Sequence, residues 1–395
     1  MAIDAAARAA LKREARSRST GPARLLEIAL ADPELAKWVA GSTRATAAVL
    51  GPLAAHPLPA VRSRVAKHPA TPGAALEALS RGAGAALLKT IARNPATPAR
   101  TLERLARDGG EAVLAALADR SSLPAGALDR LVADGRARLT TVIARHARAI
   151  GARPAALETL ATHEKAAVRA AVAARVPLDA ARAERLFADP EPWVVASLGW
   201  NDLLPDRGRW RERVLSHPDA RVRVHAARGS LDPEHFARFL GDPEPRVRAA
   251  LAGQMQLGPT DLAALSRDPA ERVRFAVADR FFGFDAPIAR ALAKDPSATV
   301  RAALAGGRNA PPDVLEALAG DGEDLVRLAV AANRDAGVEV LERLSRDPST
   351  AVFEVARFGG PPVRVRVADV AAGALGADRR STKLNFQPLL ESRLD

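Results

Sequence analysis

The 395-residue chain has no cysteine, which excludes disulfides, thiolate zinc sites, cysteine-held iron–sulfur clusters and cysteine nucleophiles. No uninterrupted apolar run approaches the ~18 residues of a membrane span. Residues 1–20 do not read as a secretory signal, because Asp4, Lys12, Arg13, Glu14, Arg16 and Arg18 leave no apolar core segment there. Lysine is scarce beside arginine and alanine is abundant, as a GC-rich bacterial genome would produce. No phosphate loop, nucleophile elbow or His-Glu-x-x-His pattern is present. These absences lead us to expect a soluble cytoplasmic protein with no cofactor and no catalytic residue to nominate.

What the chain does contain is repetition. Residues 241–268 hold two helix beginnings and two apolar stripes. Asp242 before Pro243 reads as a carboxylate cap with proline at the first helical position. Val247, Ala250 and Leu251 then recur at helical spacing. Pro259 opens a second helix whose stripe is Leu262 and Leu265. Helices this short are unstable alone in water. Stacking on copies of themselves supplies the neighbours their leucines need.

Thirteen such units can be counted by the residue aligned with Val247: Leu35, Val61, Leu87, Val113, Leu139, Val168, Val194, Val222, Val247, Val273, Val300, Val326 and Val352. The first four intervals are 26 residues each and the later ones run from 25 to 29. A 2–18 segment reads as a polar-ended, solvent-facing helix. The expected division is therefore a helical cap and half repeat over 1–34, a solenoid over 35–376, and a tail or cap over 377–395. In that tail Phe386, Leu389 and Leu390 have the character to cover the open end of the last unit. Residues 363–367 alternate like a strand, but a lone strand lacks a partner, so the helical unit is expected to continue there.

The recurring Asp-Pro, Val-Arg-x-Ala and Pro…Leu-x-x-Leu pattern resembles the leucine-rich repeat variant family, and more loosely the HEAT-like repeats, over roughly residues 22–372. That resemblance implies an all-α, right-handed superhelical solenoid of short helix pairs, one helix of each pair often closer to 3₁₀. It also implies a ladder in which each repeated Asp pairs with an Arg of its own or the adjacent unit, as with Asp242/Arg248, Asp268/Arg274, Asp295/Arg301 and Asp321/Arg327. A founding member of the family carries an iron–sulfur cluster in a cysteine-rich N-terminal segment. That cofactor does not transfer to a chain without cysteine.

Charge is uneven. Residues 1–150 carry 23 Lys/Arg against 12 Asp/Glu, a balance of +11 out of the chain's +12. Arg62, Arg64, Lys67, Lys89, Arg93 and Arg100 fall within two units and offer a docking surface for a polyanion or an acidic partner. The alternative is ordinary solvated arginine. A second candidate is the seventh unit, with Trp193, Trp200 and Trp210 beside Arg207 and Arg211. Trp210 takes the place of a core leucine, whereas Trp193 and Trp200 suit a binding hot spot or base stacking. A distant analogy to helical-repeat DNA glycosylases would require Asp202 or Asp206 as the acid, and spacing singles out neither.

Seven residues after each marker stands a polar side chain, among them His68, Asn94, Arg120, His146, Arg175, Asn201, Gln254, Arg280 and Asn333. These read either as helix-end caps or as a ribbon facing a ligand. The histidines recur at equivalent positions, so repetition explains them without a metal. The expectation is a monomeric, non-catalytic scaffold that binds a protein, with nucleic acid as the alternative partner and no membrane contact. Its contact residues would be Trp193, Trp200, Arg207, Arg211, Arg62, Arg64, Lys67, Lys89 and Arg93.

Overall fold

A computed structural model describes residues 3–17, 19–134, 138–229, 232–280, 285–308, 310–357, 360–375 and 384–394. The chain forms an N-terminal body, Met1–Trp210, and a C-terminal body, Arg211–Asp395. Each is a stack of short α-helix pairs, and apart from one small sheet the described residues form an all-α repeat solenoid. Among the described residues no helix is long and apolar enough to cross a membrane.

The unit read from residues 241–268 consists of the helices Pro245–Ala252 and Pro259–Leu265. Val247 and Leu251 are fully buried, and Leu262 and Leu265 nearly so. Full burial of such side chains is worth roughly 1.5–3 kcal/mol each. One boundary differs from expectation. Asp242 is not the helix cap, because its carboxylate accepts the Glu244 amide at 2.9 Å in a turn before the helix. Glu244 caps instead, with Pro245 in the first turn. The displaced Asp242 carboxylate is thereby free to face another unit. At Asp32-Pro33 the cap does form as read, accepting the Glu34 and Leu35 amides at 2.9 and 3.3 Å. The only 3₁₀ segment among the described residues is Pro233–His235, so in the other described pairs both helices are α.

At the N-terminus the helix Ala5–Arg16 is more than a solvent-facing cap. Arg8 grips Asp32 with two hydrogen bonds of 2.8 and 3.0 Å. Lys12 and Arg16 lie 5.8 and 5.9 Å from the Trp38 ring centroid, within cation–π range.

The thirteenth unit departs from the pattern. Val352 is half exposed, and in place of a first helix the chain forms β1 (Phe353–Arg357) and β2 (Gly360–Val365). They pair antiparallel, with Phe353 opposite Val365 and Val355 opposite Val363. A strand within 363–367 does have a partner, residues 353–357, and it ends at Val365. β2 lies at the edge of the sheet, where Pro361 and Pro362 remove no needed ladder donor. A second partner, β3 (Leu384–Asn385), pairs on the other side of β1. Beyond it Phe386 and Leu390 are buried, and the helix Gln387–Glu391 packs against Ala298–Gly306. The rest of the expected tail, 377–383, lies outside the described residues.

This docking leaves a titratable mark. Burial, with a smaller contribution from Glu391, pushes the Asp279 carboxyl up from 3.8 to about 6. A folded-state value above the unfolded one gives stability that is full below pH 3.8 and lost as pH rises through about 6. Asp279→Asn should therefore stabilise the protein by roughly 1–3 kcal/mol at pH 7.5, with the gain shrinking toward pH 4. Thermal unfolding at the two pH values measures it, and equal melting temperatures at pH 7.5 would refute it.

Candidate functional site

Two repeated polar rows run through the stack, and both tie units together. In the first, Arg223, Arg248, Arg274, Arg301 and Arg327 each reach forward to the next unit's Asp242, Asp268, Asp295, Asp321 and Asp347. The Nε–Oδ2 distances are 2.6–2.8 Å, and each guanidinium also donates to the other carboxylate oxygen. The arginine side chains are only 12–15 % exposed and the aspartates 4–10 %. Within its own unit, Arg248 Nη1 donates to the carbonyls of Asp242 and Pro243 at 2.6 and 3.3 Å. Arg8–Asp32 and Arg169–Asp189 are the corresponding rungs in the N-terminal body. Arginines spent in this way cannot form a phosphate-binding stripe.

The second row is the polar position seven residues after each marker. Asn94 Nδ2 donates to the carbonyls of Ala66 and His68 at 2.8 and 2.9 Å, in the unit before its own. Asn201 does the same to Ala173 and Val176, and Asn333 to Ala305 and Gly307. Arg120, Gln254 and Arg280 repeat the clasp with longer side chains. The row is therefore a set of caps on the preceding helix end, directed into the stack rather than toward a ligand.

The clasp lapses at two successive positions. His146 is 6 % exposed, yet its Nε2 is buried without a hydrogen-bond partner. Burial, then the charge of Arg145, lowers its pKa, so the imidazole is neutral near pH 7. Arg175 points outward and is exposed. The cause is local. The helix Leu139–Gly151 continues past a kink at His146 (φ −120°, ψ 19°), where other units end their first helix. The signal in the sequence was the interval of 29 residues between Leu139 and Val168, against 26 for the units before it.

An open cleft of about 780 Å³ lies here, lined by Ser122, Arg145, His146, Arg148, Arg175 and Trp200 among others. Trp200 is half-buried, as is Trp193, whose carbonyl accepts the Ser197 hydroxyl at 2.8 Å. Trp210 is core, 5 % exposed, with its ring 6.1 Å from that of Phe187. Arg207 lies 3.4 Å from Asp202, and Arg211 lies 3.4 Å from Asp232. Asp202 is thus an exposed, paired carboxylate at the cleft edge.

In the basic first third, Arg62 is turned inward and donates to the carbonyls of His56 and Pro57 at 2.8 and 2.6 Å. Arg93 lies 4.0 Å from Asp119, and Arg100 pairs with Glu77. Arg64 and Lys67 are exposed and Lys89 is half-buried. Lys67, Arg93, Asp119, Arg145 and Trp200 share one place, six residues after the marker of their units. Of the predicted contact residues, only Lys67, Arg93 and Trp200 belong to this helix-end position. Among the described residues, Asp232, Glu234 and His235 bring possible metal-ligating atoms within 4.8 Å of one another. Glu234 is 75 % exposed there, and Arg211 takes up part of the Asp232 charge.

A family model described as leucine rich repeat variant matches residues 325–349. A solved structure described as "a leucine-rich repeat variant with a novel repetitive protein structural motif" is 22 % identical over 74 % of this chain and 88 % of its own, with a TM-score of 0.25. No curated protein matches. The matched residues contain nearly all of the helix Asp324–Ala332, the whole of Val338–Leu344, and the rung partner Asp347. Residues 325–349 are thus similar to a leucine-rich repeat variant unit, and the helix pairs that precede them in the C-terminal body repeat the same plan.

Proposed function

We propose that this chain is a non-catalytic scaffold, a cytoplasmic monomer that binds a protein partner through the helix-end edge of its N-terminal body. The observation that carries the reading is the make-up of that edge: Lys67, Arg93, Asp119, Arg145 and Trp200 at one repeated position, with Ala174 between the last two. Mixed charge beside a half-buried indole suits a protein surface, where tryptophan and arginine are the usual hot spots. A nucleic-acid backbone asks for an unbroken row of cations, and Asp119 interrupts this one. The acids that balance the buried arginines weaken that alternative further.

The test uses the immobilised full chain and cell extract with and without nuclease. The retained protein is identified, purified and titrated against the wild-type chain and Trp200→Ala. A nuclease-resistant 1:1 complex, weakened at least about tenfold by Trp200→Ala, is the expected result. Recovery of nucleic acid alone would sink the reading, as would a complex indifferent to both Trp200→Ala and Arg93→Glu.

A further inference from the structure

We propose that the cleft around His146 is a recognition site for an acidic peptide segment with an adjoining apolar side chain. The proposal deepens the scaffold reading and rests on it. Four observations meet at this one place. The inter-unit clasp fails here twice in succession, leaving His146 Nε2 buried and unpartnered and Arg175 exposed. Arg145 and Arg148 are exposed on the kinked helix beside them. The row of arginine–aspartate rungs is interrupted nearby, because Leu88, Leu114 and Thr140 stand where the rung arginines would be. The cleft also has an apolar wall, with Leu123, Leu203 and the Trp200 ring among its lining.

A buried polar atom left unpartnered in the lining of a cleft is costly unless something binds it. Three arginines at the rim make an anionic group the natural occupant, since guanidinium–carboxylate bonds are charge-assisted and bidentate. The cations are concentrated around one spot, with Asp202 at one side and Asp119 on the adjacent unit, so the complement is a local acid rather than a continuous polyanion.

The C-terminal body shows what this kind of edge accepts. There the chain's own segment Gln387–Glu391 packs against the helix Ala298–Gly306, with Phe386 and Leu390 buried. Glu391 comes close enough to interact electrostatically with Asp279. Asp279 holds the position in its unit that Arg145 holds in the unit of Leu139. A short segment with apolar anchors thus packs beside this position within that body. With arginine in place of aspartate, an acid on such a peptide gains a partner instead of a repulsion.

The experiment titrates the full chain into a fluorescein-labelled peptide of alternating glutamate and leucine, with the glutamine–leucine peptide and a single-stranded DNA 20-mer as comparison probes. Saturable binding of the glutamate peptide is expected, at least about tenfold tighter than the glutamine peptide. Arg175→Glu should weaken it about tenfold or more. Arg13→Glu, an equal charge change on the N-terminal helix, should leave it unaltered. His146→Asn restores the residue that clasps the preceding unit elsewhere. It should reduce peptide affinity severalfold without lowering the melting temperature, an outcome that a purely structural histidine would not give. Failure of the glutamate peptide to bind, while the 1:1 protein complex still forms and ignores Arg175→Glu, would overturn this proposal and leave the scaffold reading standing. Tighter binding of the DNA 20-mer, weakened by Arg175→Glu, with no protein complex, would overturn both.

Discussion

Arg248→Ala should destabilise the C-terminal body by about 3 kcal/mol, the lower end for breaking a buried ion pair. The substitution strands the Asp268 carboxylate, only 8 % exposed, and removes the donor to the Asp242 and Pro243 carbonyls. Asp268→Asn should cost a similar amount, and the double variant distinctly less than the sum, since both remove one interaction. Urea unfolding measures all three. A loss below about 0.5 kcal/mol for Arg248→Ala would put the rung in the class of exposed ion pairs and refute the ladder as a structural element. Acid should act on the same rungs. The Arg327 hydrogen bond is the main cause that holds Asp347 below the usual 3.8. Burial pushes the Asp242, Asp268 and Asp321 carboxyls up, but their hydrogen bonds and neighbouring arginines outweigh it and leave all three lowered. Lowered folded-state values give stability present above pH 3.8 and lost as pH falls further. Rung-dependent stability should therefore persist at pH 5 and disappear in strongly acidic buffer.

Leu265→Ala should cost about 2–5 kcal/mol, the usual range for truncating a buried leucine. Leu265 is 2 % exposed at the end of the helix Pro259–Leu265, with Leu262 on the same stripe. The loss should appear as a lower urea midpoint for the C-terminal body. Because packing in a repeat stack runs mainly between adjacent units, hydrogen exchange should accelerate most in the units flanking residues 259–265. Uniform acceleration across the body would instead indicate one global core. An unchanged midpoint would place Leu265 on the surface.

The helix pairs and their core were legible because both follow from short-range periodicity. Twelve of the thirteen markers are buried or half-buried, and only Val352 is exposed. The rungs were legible as residue pairs, but their direction was not. Asp242 and Arg248 lie six apart in one unit, yet the carboxylate belongs to Arg223 and the guanidinium to Asp268. Spacing along the chain cannot say which neighbour a side chain reaches. The hairpin was missed for a different reason: the partner of residues 363–365 is the adjacent segment Phe353–Arg357, which the repeat register assigned to a first helix. At the candidate site Trp200 and Arg93 were visible as residue types. His146 was visible only as one more member of a polar row. What distinguishes it is a kink and the loss of a clasp, in the unit that carries three extra residues.

The forward reach of the rungs bears on how such a chain can change length. A unit of the C-terminal body carries one aspartate for the arginine before it and one arginine for the aspartate after it. A duplicated copy inserted in frame satisfies both of its neighbours at once, and an excised unit leaves an arginine facing the next aspartate with nothing orphaned. Pairing of this kind makes whole-unit gain or loss nearly neutral while penalising insertions inside a unit. Where the rungs run unbroken, from Val222 to Val352, the spacing stays within 25–27 residues, and the 29-residue unit falls where they are interrupted. Gene duplication would extend the one region freely, while small insertions would accumulate in the other.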